Sequence, residues 1–129
     1  MDKILVEVSV GELLDKISIL DIKKDKIKNK VSLEHINKEY DILKSEYDNK
    51  VKSDEKLSKL YYLLKEINSK LWIIEDEKRL CEKQSDFGNK FIKLSRDVHF
   101  LNDQRAKVKL EMNNHTGSKI KEIKEYTKY

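Results

Sequence analysis

No proline interrupts the 129 residues of this chain, and glycine occurs only three times. These are the residues that break helices, so their scarcity leaves room for long, uninterrupted ones. A single cysteine, Cys81, excludes a disulfide framework and any CxxC motif. Apolar runs are short. Leu71–Ile74 is typical and falls far below the roughly 20 residues of a membrane-spanning helix. No basic stretch followed by a long apolar one opens the chain, which leads us to expect a soluble, cytoplasmic protein. A Gly-rich phosphate loop, a nucleophile elbow and an HExxH motif are all missing. Glu-x-x-His does not occur, so His99 and Asp103 at i, i+4 make at most half a metal site. No metal and no cofactor are expected.

What the chain has in quantity is charge. Asp, Glu, Lys and Arg make up 40 % of it, and the formal net charge is +4. Residues 1–104 balance 21 basic against 21 acidic side chains, so the excess falls in 105–129, with seven against three. Acids interrupt that basic end and most of its bases are Lys, which speaks against nucleic-acid binding. The length suits one domain, residues 1–129, with enough chain to bury a core.

Apolar spacing divides the chain into helices. Ile4–Val8 is β-prone and reads as an extended arm or an edge strand. Ser9-Val10-Gly11-Glu12 is a capping box that starts helix one near Val10. Val10, Leu13, Leu14, Ile17 and Leu20 form its stripe. A break at residues 29–32 with Ser32 as cap precedes helix two, with Leu33, Ile36, Tyr40, Leu43 and Tyr47 in 3-4 spacing. Ser53 or Asp54 caps helix three, residues 55–83, whose heptad register runs through Leu57, Leu60, Leu64, Ile67, Leu71, Ile74 and Cys81. Helix four covers 87–113, with Gly117 or an Asn ending it in the left-handed conformation. Ser118 caps a short last helix to about Tyr126. The fold class is all-α: an elongated antiparallel bundle of four long helices plus the short one.

One residue departs from this pattern. Phe91, Leu94, Val98, Leu101, Val108 and Met112 form the stripe of helix four, and Arg105 stands on the same face. A guanidinium keeps its charge, so facing a core it requires a carboxylate or a bound anion. Asn102 and Lys109 share its face. Glu12, Asp15, Glu75 and Asp76 are the internal carboxylates available, and Glu12–Lys16 and Glu75–Arg79 are favourable i, i+4 pairs. Two readings follow. One is a buried ion-pair network that fixes helix register. The other is a site for an anionic small molecule formed by Lys16, Glu75, Arg79, Asn102, Arg105 and Lys109.

Four segments resemble a family of small bacterial and phage proteins defined only as a domain of unknown function. They are residues 8–23, from Val8-Ser9-Val10-Gly11-Glu12 onward; Asn68 with Leu71-Trp72, Ile74-Glu75-Asp76 and Arg79; Phe91 with Leu94-Ser95-Arg96, Val98, Asn102-Asp103, Arg105-Ala106, Lys109 and Asn113; and Gly117-Ser118 with Ile120, Glu122, Lys124 and Tyr126. Ser95 and His99 depart from that family's pattern, which tends to Ala and Tyr. The resemblance implies an all-α fold and no reaction. Its association with genes for surface-polysaccharide assembly directs attention to a nucleotide sugar or phosphate as ligand. The expected function is a non-catalytic helical accessory or binding protein, acting as a homodimer. The alternative is a binder or enzyme for an anionic small molecule: a nucleotide sugar, sugar phosphate or carboxylate.

Overall fold

A computed structural model describes residues 2–129. Its regular structure is four helices: α1 (Val10–Lys26), α2 (Lys30–Lys50), α3 (Glu55–Lys83) and α4 (Asn89–Thr116). Each start has a local cause. Ser9 accepts from the Glu12 N–H at 3.0 Å, Asn29 from Ser32 at 3.0 Å, and Asp54 from Leu57 at 2.8 Å, which satisfies donors the first helical turn leaves free. Only half of the Ser9/Glu12 box forms, because the Glu12 carboxylate turns to Lys109 instead. The cap of α2 is Asn29 rather than Ser32, so that helix begins a few residues early. At α4, Gly117 takes φ +69° and its N–H returns to the Asn113 carbonyl. In the α3/α4 turn the left-handed residue is Ser85 at φ 54°, while Gly88 stays at φ −81°.

At the N-terminal end the edge-strand alternative is not realised among the described residues: residues 2–9 form no regular element and leave Ile4, Leu5 and Val6 exposed, as an arm does. The short helix expected after Ser118 does not form either. Residues 118–129 form no regular element and turn back along α4, where Glu122 meets Lys109 and Tyr129 meets Asp103. The Ser118 hydroxyl, read as a helix cap, accepts from the Val10 N–H at 3.3 Å instead.

α1 is the hub of the packing. It lies against α2, α3 and α4, and α3 lies against α4. One core cluster joins all four helices through Leu14 and Ile17, Tyr47, Leu57 and Leu64, and Val108 and Met112. A second, smaller cluster holds Ile74, Cys81 and Leu94, with Phe91, Val98 and Leu101 against it, and includes nothing from α1 or α2. The course of α1 explains the division: Asp15 meets Asn68 of α3 while Asp21, further along α1, meets Tyr61, so α1 crosses the hairpin and turns back from its far end. The 17 residues of α1 span about 26 Å, against about 44 Å for the 29 of α3. The α3/α4 hairpin therefore outruns its third helix and continues as a two-helix arm.

Candidate functional site

Gly11 fixes how closely α1 approaches α4. A Cβ at this position would lie 2.6 Å from the Lys109 carbonyl oxygen and 3.0 Å from Asn113 Oδ1. The bare backbone lets the Gly11 N–H donate to Asn113 Oδ1 at 2.7 Å, within a buried contact. That approach brings the acidic face of α1 onto the basic face of α4.

Asp15 lies at the centre of this contact and is 1 % exposed. Arg105 grips it with both ends of its fork. Nε donates to Oδ1 at 3.0 Å and Nη2 to Oδ2. Asn68 of α3 donates to Asp15 Oδ1 at 2.8 Å and to the Ser18 hydroxyl at 2.8 Å, which itself donates to the Asp15 carbonyl. One turn along α4, the Lys109 ammonium donates to Glu12 at 2.8 Å and to Glu122 at 3.2 Å, with Asp15 at 3.6 Å. Among the described residues, no buried side-chain nitrogen or oxygen lacks a hydrogen-bond partner.

The electrostatics follow from these distances. Burial works against ionisation of Asp15, but the hydrogen bonds from Arg105 and Asn68, with the charges of Arg105 and Lys109, outweigh it and hold the carboxyl below its usual range. Bonding to Asp15 raises Arg105 against the opposing effect of burial. For Lys109 burial is again the largest effect, and its carboxylate partners overcome it and raise the ammonium. The Lys109 contact pulls Glu122 down. Three carboxylates thus face two strongly held cations, with Lys16 a distant third at 3.9 Å from Glu12.

Of the six residues singled out by sequence, Arg105 and Lys109 meet in this cluster and Lys16 stands at its exposed rim. Glu75 and Arg79 pair with each other at 3.1 Å on the exposed face of α3, two turns beyond Asn68. Asn102 is half-buried, and no side-chain hydrogen bond involves it among the described residues. Four participants escaped that reading: Ser18, Asn68, Asn113 and Glu122. Three have some signal in the sequence, though only Asn68 stands between apolar residues of a stripe as Arg105 does. Gly11, Asp15, Ser18 and Ile22 keep a 4-3-4 spacing on α1. Asn68 falls between Leu64 and Leu71 on the α3 stripe, and Asn113 precedes the turn at Gly117. Glu122 had no such signal, because it lies outside the helices and its meeting with Lys109 depends on how the chain turns back after Gly117.

The ring of His99 stacks with Phe100 and Tyr129, and Asp103 accepts from the Tyr129 hydroxyl, so both are engaged in the fold. His115 Nε2 lies 2.6 Å from the Asp54 carboxylate, tying the end of α4 to the α2/α3 turn. The base of the two-helix arm carries a different feature, a shallow cleft of about 370 Å³ between α3 and α4. Ile73, Ile74, Phe100 and Leu101 form its walls, with Lys70 and Asp97 at its rim. A family model matches residues 4–129, and the description of that family is one of unknown function. No curated protein and no solved structure matches the chain.

Proposed function

The chain belongs to this family of unknown function, DUF6165, which brings no reaction with it; we propose that it is a non-catalytic helical binding protein that works as a cytoplasmic homodimer. The observation that supports this reading is the two-helix arm. Its seam is thin, and apolar side chains also point outward: Ile73 is 50 % exposed and Phe100 36 %. A second copy of the arm completes an antiparallel four-helix bundle and covers the cleft that they line. Lys70 and Asp97 give the rim both signs of charge, which a two-fold pairing can set against each other. Light scattering at high protein concentration tests it. Twice the chain mass is expected, reverting to one chain mass in the double variant Ile73→Glu/Phe100→Glu with its helical content retained. A wild-type chain that stays monomeric overturns it.

A second reading puts an anionic small molecule against Lys16, Arg105 and Lys109. It is favoured by one feature: Glu122, unlike Glu12 and Asp15, comes from no helix and is the carboxylate an external anion would replace. Thermal unfolding with nucleotide sugars, sugar phosphates and dicarboxylates should then rise by several degrees. Unmoved midpoints leave the cluster as a clamp between helices.

A further inference from the structure

The segment 118–129 is held down at three places. The Ser118 hydroxyl accepts from the Val10 N–H. The Glu122 carboxylate accepts from the Lys109 ammonium. The Tyr129 hydroxyl donates to Asp103, while its ring meets those of His99 and Phe100 edge-on, each at 5.2 Å. Between the last two anchors the chain contributes little. Ile123 is 80 % exposed and Tyr126 76 %.

The segment is also longer than its path. Seven residues separate Glu122 from Tyr129 and can span about 23 Å. Along α4, Lys109 and Asp103 are six residues apart, a rise of about 9 Å. The stretch thus has more chain than the distance along α4 requires, and with Ile123 and Tyr126 exposed it is held through Glu122 and Tyr129. A stretch with few buried contacts and exposed anchors opens at low free energy. What it covers is specific: a cation already oriented by two α1 carboxylates at one end, and an aromatic pair beside a hydroxyl acceptor at the other.

We propose that the face of α4 from Lys109 to His99 and Phe100 is a binding surface for a peptide segment of a partner, and that segment 118–129 occupies it as an internal competitor. The ligand is a partner segment carrying a carboxylate for Lys109 and, about seven residues on, a tyrosine for Asp103 and the His99/Phe100 rings. Glu12 and Asp15 stay on Lys109 when the segment leaves, so opening this face strips the ammonium of one acceptor and not of all. The inference rests on the charge cluster and the rings; because Phe100 also lines the cleft of the arm, peptide binding is to be measured at concentrations where the chain is monomeric.

A labelled synthetic peptide copying residues 118–129, titrated into the full-length chain and followed by anisotropy, tests it. A tethered segment competes at an effective concentration in the millimolar range. The wild-type chain should therefore bind the peptide weakly, and the full-length variant Glu122→Gln/Tyr129→Ala about tenfold more tightly or better. Binding to that variant should weaken in salt. It should also fall when the peptide itself carries Gln for Glu122. Equal binding by the wild type and the opened variant overturns the proposal, as does indifference to the peptide's own Glu-to-Gln change. A second measurement needs no variant. Trypsin should cut the wild-type chain at Lys119, Lys121 and Lys124 well before the lysines of the helices, and faster as salt rises. Cleavage there no faster than within α3 means the segment is a fixed part of the fold and this face of α4 is not available.

Discussion

Asp15 shows what a single carboxylate does when two cations and an amide converge on it. Taking away its charge leaves the Arg105 guanidinium partly buried and unmatched, the situation in which breaking an ion pair is most damaging. Asp15→Asn should destabilise the chain by about 3 kcal/mol in urea unfolding. The same pair dictates an acid limb. The folded-state pKa of Asp15 lies below its usual 3.8, so the unfolded chain takes up the proton first as pH falls. The stability this residue contributes is complete above about pH 4 and is lost as pH drops through its folded value. Unfolding curves between pH 6 and pH 2 should fall steeply in the wild type and more gently in Asp15→Asn; parallel curves would assign the acid limb to other carboxylates. Part of this was visible in the sequence. Arg105 broke an apolar stripe and required a carboxylate, and Asp15 was among four candidates. Pattern alone could not choose between α1 and α3, because both offered acids at suitable helical positions. The choice is made by Gly11, which brings α1 close enough for its short aspartate to reach.

For whole elements, the sequence is informative wherever a helix has both a cap and a stripe. The starts of α1 and α3 fall where Ser9 and Asp54 place them. The segment after Gly117 had the cap-like Ser118 but no surface to bury its side chains against. A helix of about ten residues without a packing face does not hold in water. Beside this segment, α4 is already covered by α1. The contact between those two helices predicts a graded response to alanine. Gly11→Ala drives a Cβ into the Lys109 carbonyl and must lift the start of α1. Overpacking of this kind costs roughly 1–3 kcal/mol. Gly88→Ala, where the nearest atom would be Asp86 Oδ1 at 3.5 Å and φ is negative, should be close to neutral. Thermal midpoints of the two variants should differ by several degrees; equal midpoints would mean that α1 tolerates a looser fit on α4 than its geometry implies.

Across the whole molecule the two ends are unequally built. Near Gly11 and Asn113 three helices share the large core and the charge cluster, with α2 adding Tyr47. Beyond Ile74 only α3 and α4 remain, joined through Cys81 and Leu94 and a few half-buried neighbours. The heptad in α3 runs through both regions without a change of character. The sequence therefore conveyed two long helices but not that α1 crosses them instead of accompanying them to their end. Stability should follow the same gradient, since local opening is governed by how much apolar contact each part must break. In dilute protein, backbone amides of residues 74–82 and 92–100 should exchange hydrogen markedly faster than those of 60–68 and 105–113. If two arms pair, raising the concentration should slow exchange in the arm and leave the three-helix end unchanged. Protection that is uniform along α3 at low concentration would show that the two-helix seam is sufficient by itself, and would remove the reason for a second copy to cover it.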